Sequence, residues 1–148
     1  MTHTTSHRRI AIRTLTLAGA LGLVAACTSM SDSMYSQQVT LSGNNEVPPV
    51  STPATGSGTV TINPDRSVSA RITVSGMTAT ASHIHEGAAG ANGPVIVPFT
   101  KTADNTFVAP DGARLTEAQY ASYKAGNLYV NVHSAKNPGG EIRAQLKP

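Results

Sequence analysis

Alternation of apolar and polar positions divides the chain into an apolar run near its start, a polar stretch, and a long series of brief β-patterned segments. These segments lie near Val39–Gly43, Gly58–Ile62, Ser67–Val74, Ala79–Glu86, Pro94–Phe99, Asn105–Val108, Leu128–Ser134 and Glu141–Lys147. Gly, Pro, Asn and Asp cluster between them, and Asn63-Pro64-Asp65-Arg66 has the chemistry of a hairpin turn. One piece breaks the period of two: Glu117–Lys124 reads as a helix, with Thr116 as N-cap, Gln119 completing a capping box and Gly126 as the stop. Tyr120 and Tyr123 share a face of it and are expected to pack onto a sheet. Many short strands with one short helix in a connection predict an all-β fold, an antiparallel Greek-key sandwich or barrel.

The same alternation assigns faces. In Leu128-Tyr129-Val130-Asn131-Val132-His133 the apolar Leu128, Val130 and Val132 point one way, and Tyr129, Asn131 and His133 the other. In Ser82-His83-Ile84-His85-Glu86, Ile84 points inward while His83 and His85 point outward together. Near the end, Ile142, Ala144 and Leu146 face in, and Glu141, Arg143 and Gln145 face out. The three histidines beyond the leader are therefore all expected on outward faces.

Charge changes the picture of the first residues. The chain carries 11 Lys+Arg against 8 Asp+Glu. Arg8, Arg9 and Arg13 precede Cys27 and no acidic residue does, so the remainder is neutral and a nucleic-acid partner is not expected. A basic start, the apolar run Leu15–Val24 and small Ala25-Ala26 form an export signal, too short to span a bilayer as a helix. Leu23-Val24-Ala25-Ala26-Cys27 resembles the lipobox of bacterial lipoproteins, which implies lipidation of Cys27, the only cysteine, and attachment to a membrane through that lipid. Thr28 in place of Asp resembles the outer-membrane sorting class, with the domain facing the periplasm. The Arg8-Arg9 pair leaves Sec and Tat export both open. The expected organisation is a signal peptide over 1–26, a lipidated Cys and flexible tether over 27–38, and one domain over 39–148.

A His-x-His pair on a strand places two rings on one face, roughly 6.5–7 Å apart at Cα. A third imidazole from a neighbouring strand would complete a His₃ set, which suits copper ahead of zinc and leaves a position open. The expected ligands are His83, His85 and His133. One shared ion requires the His133 ring within about 8 Å of the other two. Asn131 or Glu86 would orient a ring from behind, and Arg143 would draw an anion toward the site if its strand pairs with that of His133. Equally open is a structural role, with His83 and His85 fixing the Gly87–Pro94 loop and His133 pinning the turn at Asn137–Gly140. The glycine-rich loop opens no helix and lacks the Lys of a phosphate-binding loop, and no G-x-S-x-G nucleophile motif occurs.

Three ordered motifs carry a resemblance. Leu41-Ser42-Gly43-Asn44-Asn45-Glu46-Val47-Pro48-Pro49, Ala81–Gly87, and Leu128–Ser134 with Asn137–Arg143 together resemble the chordin-type (CHRD) domain, over almost the whole domain. The resemblance implies an exported module of the kind found in bacterial envelope proteins and in the animal antagonist chordin. The strands of His83-Ile84-His85 and His133 are also similar to the copper-site strands of Cu,Zn superoxide dismutase. The bridging histidine, zinc-ligand cluster and disulfide of that enzyme have no counterpart, so a dinuclear site is excluded. The sequence thus predicts an envelope lipoprotein binding copper, or else zinc, with catalysis less expected than carrying or sensing the metal. A metal-free interaction or adhesion module is the alternative, and a superoxide dismutase-like enzyme the third reading. It names no protein partner.

Overall fold

The computed structural model describes Met1 and residues 35–148. The expected signal peptide, Cys27 and its tether up to residue 34 lie outside the described residues. Nine strands follow: β1 (Ser36–Ser42), β2 (Thr55–Ile62), β3 (Val68–Ser75), β4 (Ala79–Glu86), β5 (Val95–Pro98), β6 (Thr100–Ala103), β7 (Thr106–Val108), β8 (Leu128–Ser134) and β9 (Ile142–Leu146). Among the described residues there is one α-helix, α1 (Glu117–Lys124), between β7 and β8, and a short 3-10 turn at Gly43–Asn45 after β1. All pairings are antiparallel, in the order β5-β4-β8-β9-β1-β2-β3-β7-β6.

The two ends of this sheet are consecutive in the chain. The link between them and β6 itself both reach β4: the Phe99 N–H donates to Ser82 O at 3.0 Å, and Lys101 Nζ to Ala79 O at 3.2 Å. The sheet is therefore nearly closed, which leaves little exposed strand edge. β9 comes back to lie beside β1 after a long excursion, the defining move of a Greek key.

The apolar set expected to face inward does so. Leu41, Val60, Ile62, Ile72, Ile84, Leu128, Val130, Val132, Ile142 and Leu146 are fully buried in one core, which lies wholly between Val39 and Leu146. The hairpin forms at Asn63–Arg66, where the Arg66 N–H donates to Asn63 O. The capping box is complete: the Gln119 N–H donates to Thr116 Oγ1 at 3.2 Å, and the Thr116 N–H to Gln119 Oε1 at 2.8 Å. Tyr123 is buried against the sheet and its hydroxyl donates to Lys147 O.

Three expectations need correction. Ser36–Gln38, assigned to the tether, are strand, because Gln38 Nε2 bonds Thr59 Oγ1 and the backbone pairs with β2. Thr100–Ala103, assigned to no element, are strand β6, held by pairing with β7. The outward faces of β8 and β9 are not solvent-facing, since every residue of β8 and all but one of β9 is buried. Two loops cover them and create the site.

Candidate metal centre

β4 and β8 pair with His83 opposite Asn131, Ala81 opposite His133 and His85 opposite Tyr129. Ser82 and Ile84 alternate into the core and are fully buried, which sends both β4 histidines to the outer face. His133 reaches the same face diagonally. The ring centroids stand 4.7 Å apart for His83 and His133, 5.5 Å for His83 and His85, and 5.9 Å for His85 and His133. One ligand nitrogen from each ring lies within 4.8 Å of the others. The three rings thus meet the distance required of one shared ion, after closing by about 1 Å to the separations set by bonds near 2 Å.

The protons on these rings follow from their partners. Nδ1 of His133 lies 2.9 Å from Pro138 O, and Nδ1 of His85 lies 2.9 Å from Gly93 O. A carbonyl only accepts, so each Nδ1 carries the hydrogen and each Nε2 keeps its lone pair. His83 Nδ1, 2.9 Å from His133 Nε2, then donates to it. His85 Nε2 is buried and has no hydrogen-bond partner. Burial lowers the pKa of all three rings, and for His83, with the neighbouring His133 and His85 adding to the effect, it falls to about 4. The set is neutral at ordinary pH, the form a metal needs.

The loop after β4 forms the cover. Gly93 brings its carbonyl to His85 by passing so close to Glu86 that a Cβ there would lie 1.6 Å from Glu86 O. Arg143 holds the loop from beneath: Nη2 donates to Ala88 O and Ala91 O, and Nη1 to Asn92 Oδ1. Its guanidinium lies 3.4 Å from the centre of the Tyr129 ring, and the Tyr129 ring stacks on His85 at 4.9 Å with an interplanar angle of 10°. The Gly93 N–H bonds the Tyr129 hydroxyl. The loop after β1 contributes Glu46, which is 5% exposed and faces Arg143. Burial raises its carboxyl to about 7 against the opposing pull of Arg143 and Asn131.

Two expected roles change. Glu86 does not orient a ring: it alternates away, and its carboxylate accepts from Ser122 of α1 at 2.5 Å. Arg143 is not placed to draw in an anion, because it is 1% exposed and its nitrogens are committed to the loop. Asn131, expected behind the rings, does lie beside His85. Sequence reasoning assigned no role to Glu46 or Tyr129. Tyr129 alternates with Asn131 and His133 and so shared their face, whereas Glu46 offered only its place in the Leu41–Pro49 motif.

Among the described residues no other group of three His, Cys, Asp or Glu side chains converges, and no helix is long and apolar enough to cross a membrane. No curated protein and no solved structure matches the chain. The model of the CHRD domain matches residues 37–146, from the second residue of β1 to the last of β9. That span takes in all three histidines, the covering loops and the closed sheet, and the chain belongs to the CHRD domain family.

Proposed function

We propose that this domain binds a single transition-metal ion, copper in preference to zinc, through His83, His85 and His133. The observation that carries the reading is His85 Nε2, a buried lone pair without a donor in a cluster of neutral imidazoles. A buried acceptor left unpartnered costs about 1–3 kcal/mol, a cost that a metal relieves when bound and that only a turn of the neighbouring Asn131 amide relieves in its absence. Imidazole sets favour copper over zinc in affinity order. His83 is the least buried of the three, so the open position lies on its side. Holding or passing on the ion fits this site better than turnover, since Arg143 is committed elsewhere and no second metal cluster accompanies the first among the described residues.

Family membership supports an extracytoplasmic module. Attachment to the envelope through a lipid on Cys27, at an outer membrane and facing the periplasm, completes the proposal. Copper and zinc titration with thermal unfolding as readout tests the metal reading. At a hundredfold excess over Kd, binding adds about 2.7 kcal/mol, a rise of about 10 °C for a domain of this size. The triple variant His83→Ala/His85→Ala/His133→Ala is expected to show no rise. An equal rise in both proteins, or none in either, would overturn the reading.

A second reading has its own observation. Two of the histidines each bond a loop carbonyl, Gly93 O or Pro138 O, as a metal-free interaction module with pinned loops requires. It predicts that the triple variant unfolds its loops without any metal dependence in the parent protein.

A further inference from the structure

Behind the histidines, three buried acceptor atoms have no hydrogen-bond partner: His85 Nε2, Asn131 Oδ1 and Glu46 Oε1. They are neighbours. The Asn131 side chain lies within reach of His85 on one side and Glu46 on the other. Glu46 Oε1 and Asn131 Nδ2 both crowd the space beside Gly140, where a Cβ would lie 2.6 Å and 2.7 Å from them. Three unpartnered acceptors in a row are resolved by one movement. If the amide of Asn131 turns over, its NH₂ donates to His85 Nε2, and its oxygen accepts from a protonated Glu46. Every orphan atom then has a partner, provided the carboxyl holds its proton.

A metal on His85 Nε2 removes the acceptor that this orientation serves. The NH₂ then turns to Glu46, where it meets the O–H that the amide oxygen had accepted. Two donors cannot pair, and a hydrogen bond to the charged form favours the carboxylate, so the turn favours loss of the proton. We propose that Asn131 is the positioning residue that couples the two states, so that loading the metal site turns its amide and expels the carboxyl proton of Glu46 to solvent. The inference rests on the metal reading above. The protons are accounted for: a divalent ion arrives, one proton leaves Glu46 for solvent, the imidazoles stay neutral and the site gains one net positive charge, with His83 moving its proton from Nδ1 to Nε2 if it ligates through Nδ1. The charged groups around Glu46 are Arg143 of β9, which favours the carboxylate, and Lys136 of the turn after β8, which lines the same cavity. Burial opposes them both and keeps the proton near neutrality in the metal-free protein.

The test is calorimetric titration of the protein with copper(II) at pH 6, repeated in buffers of different ionisation enthalpy, which reads protons released per ion bound. The parent protein is expected to release close to one proton more than E46Q. The variant Asn131→Ala, which keeps Glu46 but breaks the coupling, is expected to lose the same release. Copper binding with equal proton release in the parent and either variant would overturn this inference and leave the metal reading standing. Absence of copper binding by the parent would overturn both. A glutamate that serves only to hold the fold would change the heat and the melting temperature but not the proton count.

Discussion

The β2–β3 wall and the β8–β9 wall of the barrel share the same inner face and differ wholly in the outer one. Along β3, buried Val68, Ile72 and Val74 alternate with exposed Ser69, Arg71, Thr73 and Ser75. Along β8 all seven residues are buried, although Tyr129, Asn131 and His133 alternate as regularly with the core set. The first wall buries what the hydrophobic effect asks it to bury. The second buries Arg143, Asn131 and His133, together with His85 of the neighbouring β4 and Glu46 of a covering loop, groups that cost free energy to take out of water and recover it only through fixed partners. A fold alone does not require that layer, and it is where the unpartnered acceptors collect.

The sharpest way to break the contrast is to fill the space beside Gly140. Its φ of 133° and the closeness of Glu46 and Asn131 leave no place for a methyl group. Gly140→Ala should cost about 3 kcal/mol in denaturant unfolding. Next in size is a matched pair on the two outer faces. Asn131→Ala should cost about 1–3 kcal/mol by stranding its neighbours, while Thr73→Ala on β3 should stay within about 0.5 kcal/mol.

Acid separates the walls in a third way. The folded imidazoles have pKa values below the ordinary 6.5, His83 near 4, so below 6.5 the unfolded chain binds protons that the fold excludes. Their contribution is intact above pH 6.5 and is lost as pH falls toward 4. Glu46 acts with the opposite sign: its folded pKa near 7 exceeds the ordinary 4.5, so stability drains as pH rises across that window. Thermal melts from pH 7 to 4 should therefore show a shallower acid loss in the triple histidine variant, and bound copper should shift the parent's loss to lower pH.

Smaller still is Tyr129→Phe, which keeps the stack on His85 but removes the bond from the Gly93 N–H, at about 1 kcal/mol. Smallest is Arg114→Ala, remote from the site. Its ion pair with Asp65 is more than half exposed, so the midpoint of chemical unfolding should barely move.

The strands that carry the histidines were legible to the residue, β4 at Ala79–Glu86 and β8 at Leu128–Ser134, because their alternation is strict and Gly or polar turns bound them. The helix was equally clear from Thr116 and Gln119. β6 was not, since all four of its residues are exposed and a strand held only by backbone pairing leaves no apolar signature. At the site, alternation put His83, His85 and His133 on one face, but what lies over that face is tertiary. Glu46 is separated from Arg143 by almost the whole domain, and the loop that Arg143 holds is over 50 residues away in sequence. No local pattern encodes such a lid, so polar residues read as outward are in fact roofed.

The register of the barrel also fixes which way the histidines look. Ser42, Arg143, Asn131 and His83 occupy one rung running across four strands. The chain joins the sheet at Ser36, six residues earlier on β1, and so roughly 20 Å down the strands from that rung. The Lys147 N–H donates to Gln37 at the same lower end, so the first strand begins and the last strand ends there. The attachment proposed through Cys27 would therefore hold the barrel by the end away from that rung. The metal centre would then stand off from the attachment point, with half-buried His83 as its open side and His85 and His133 under their loops.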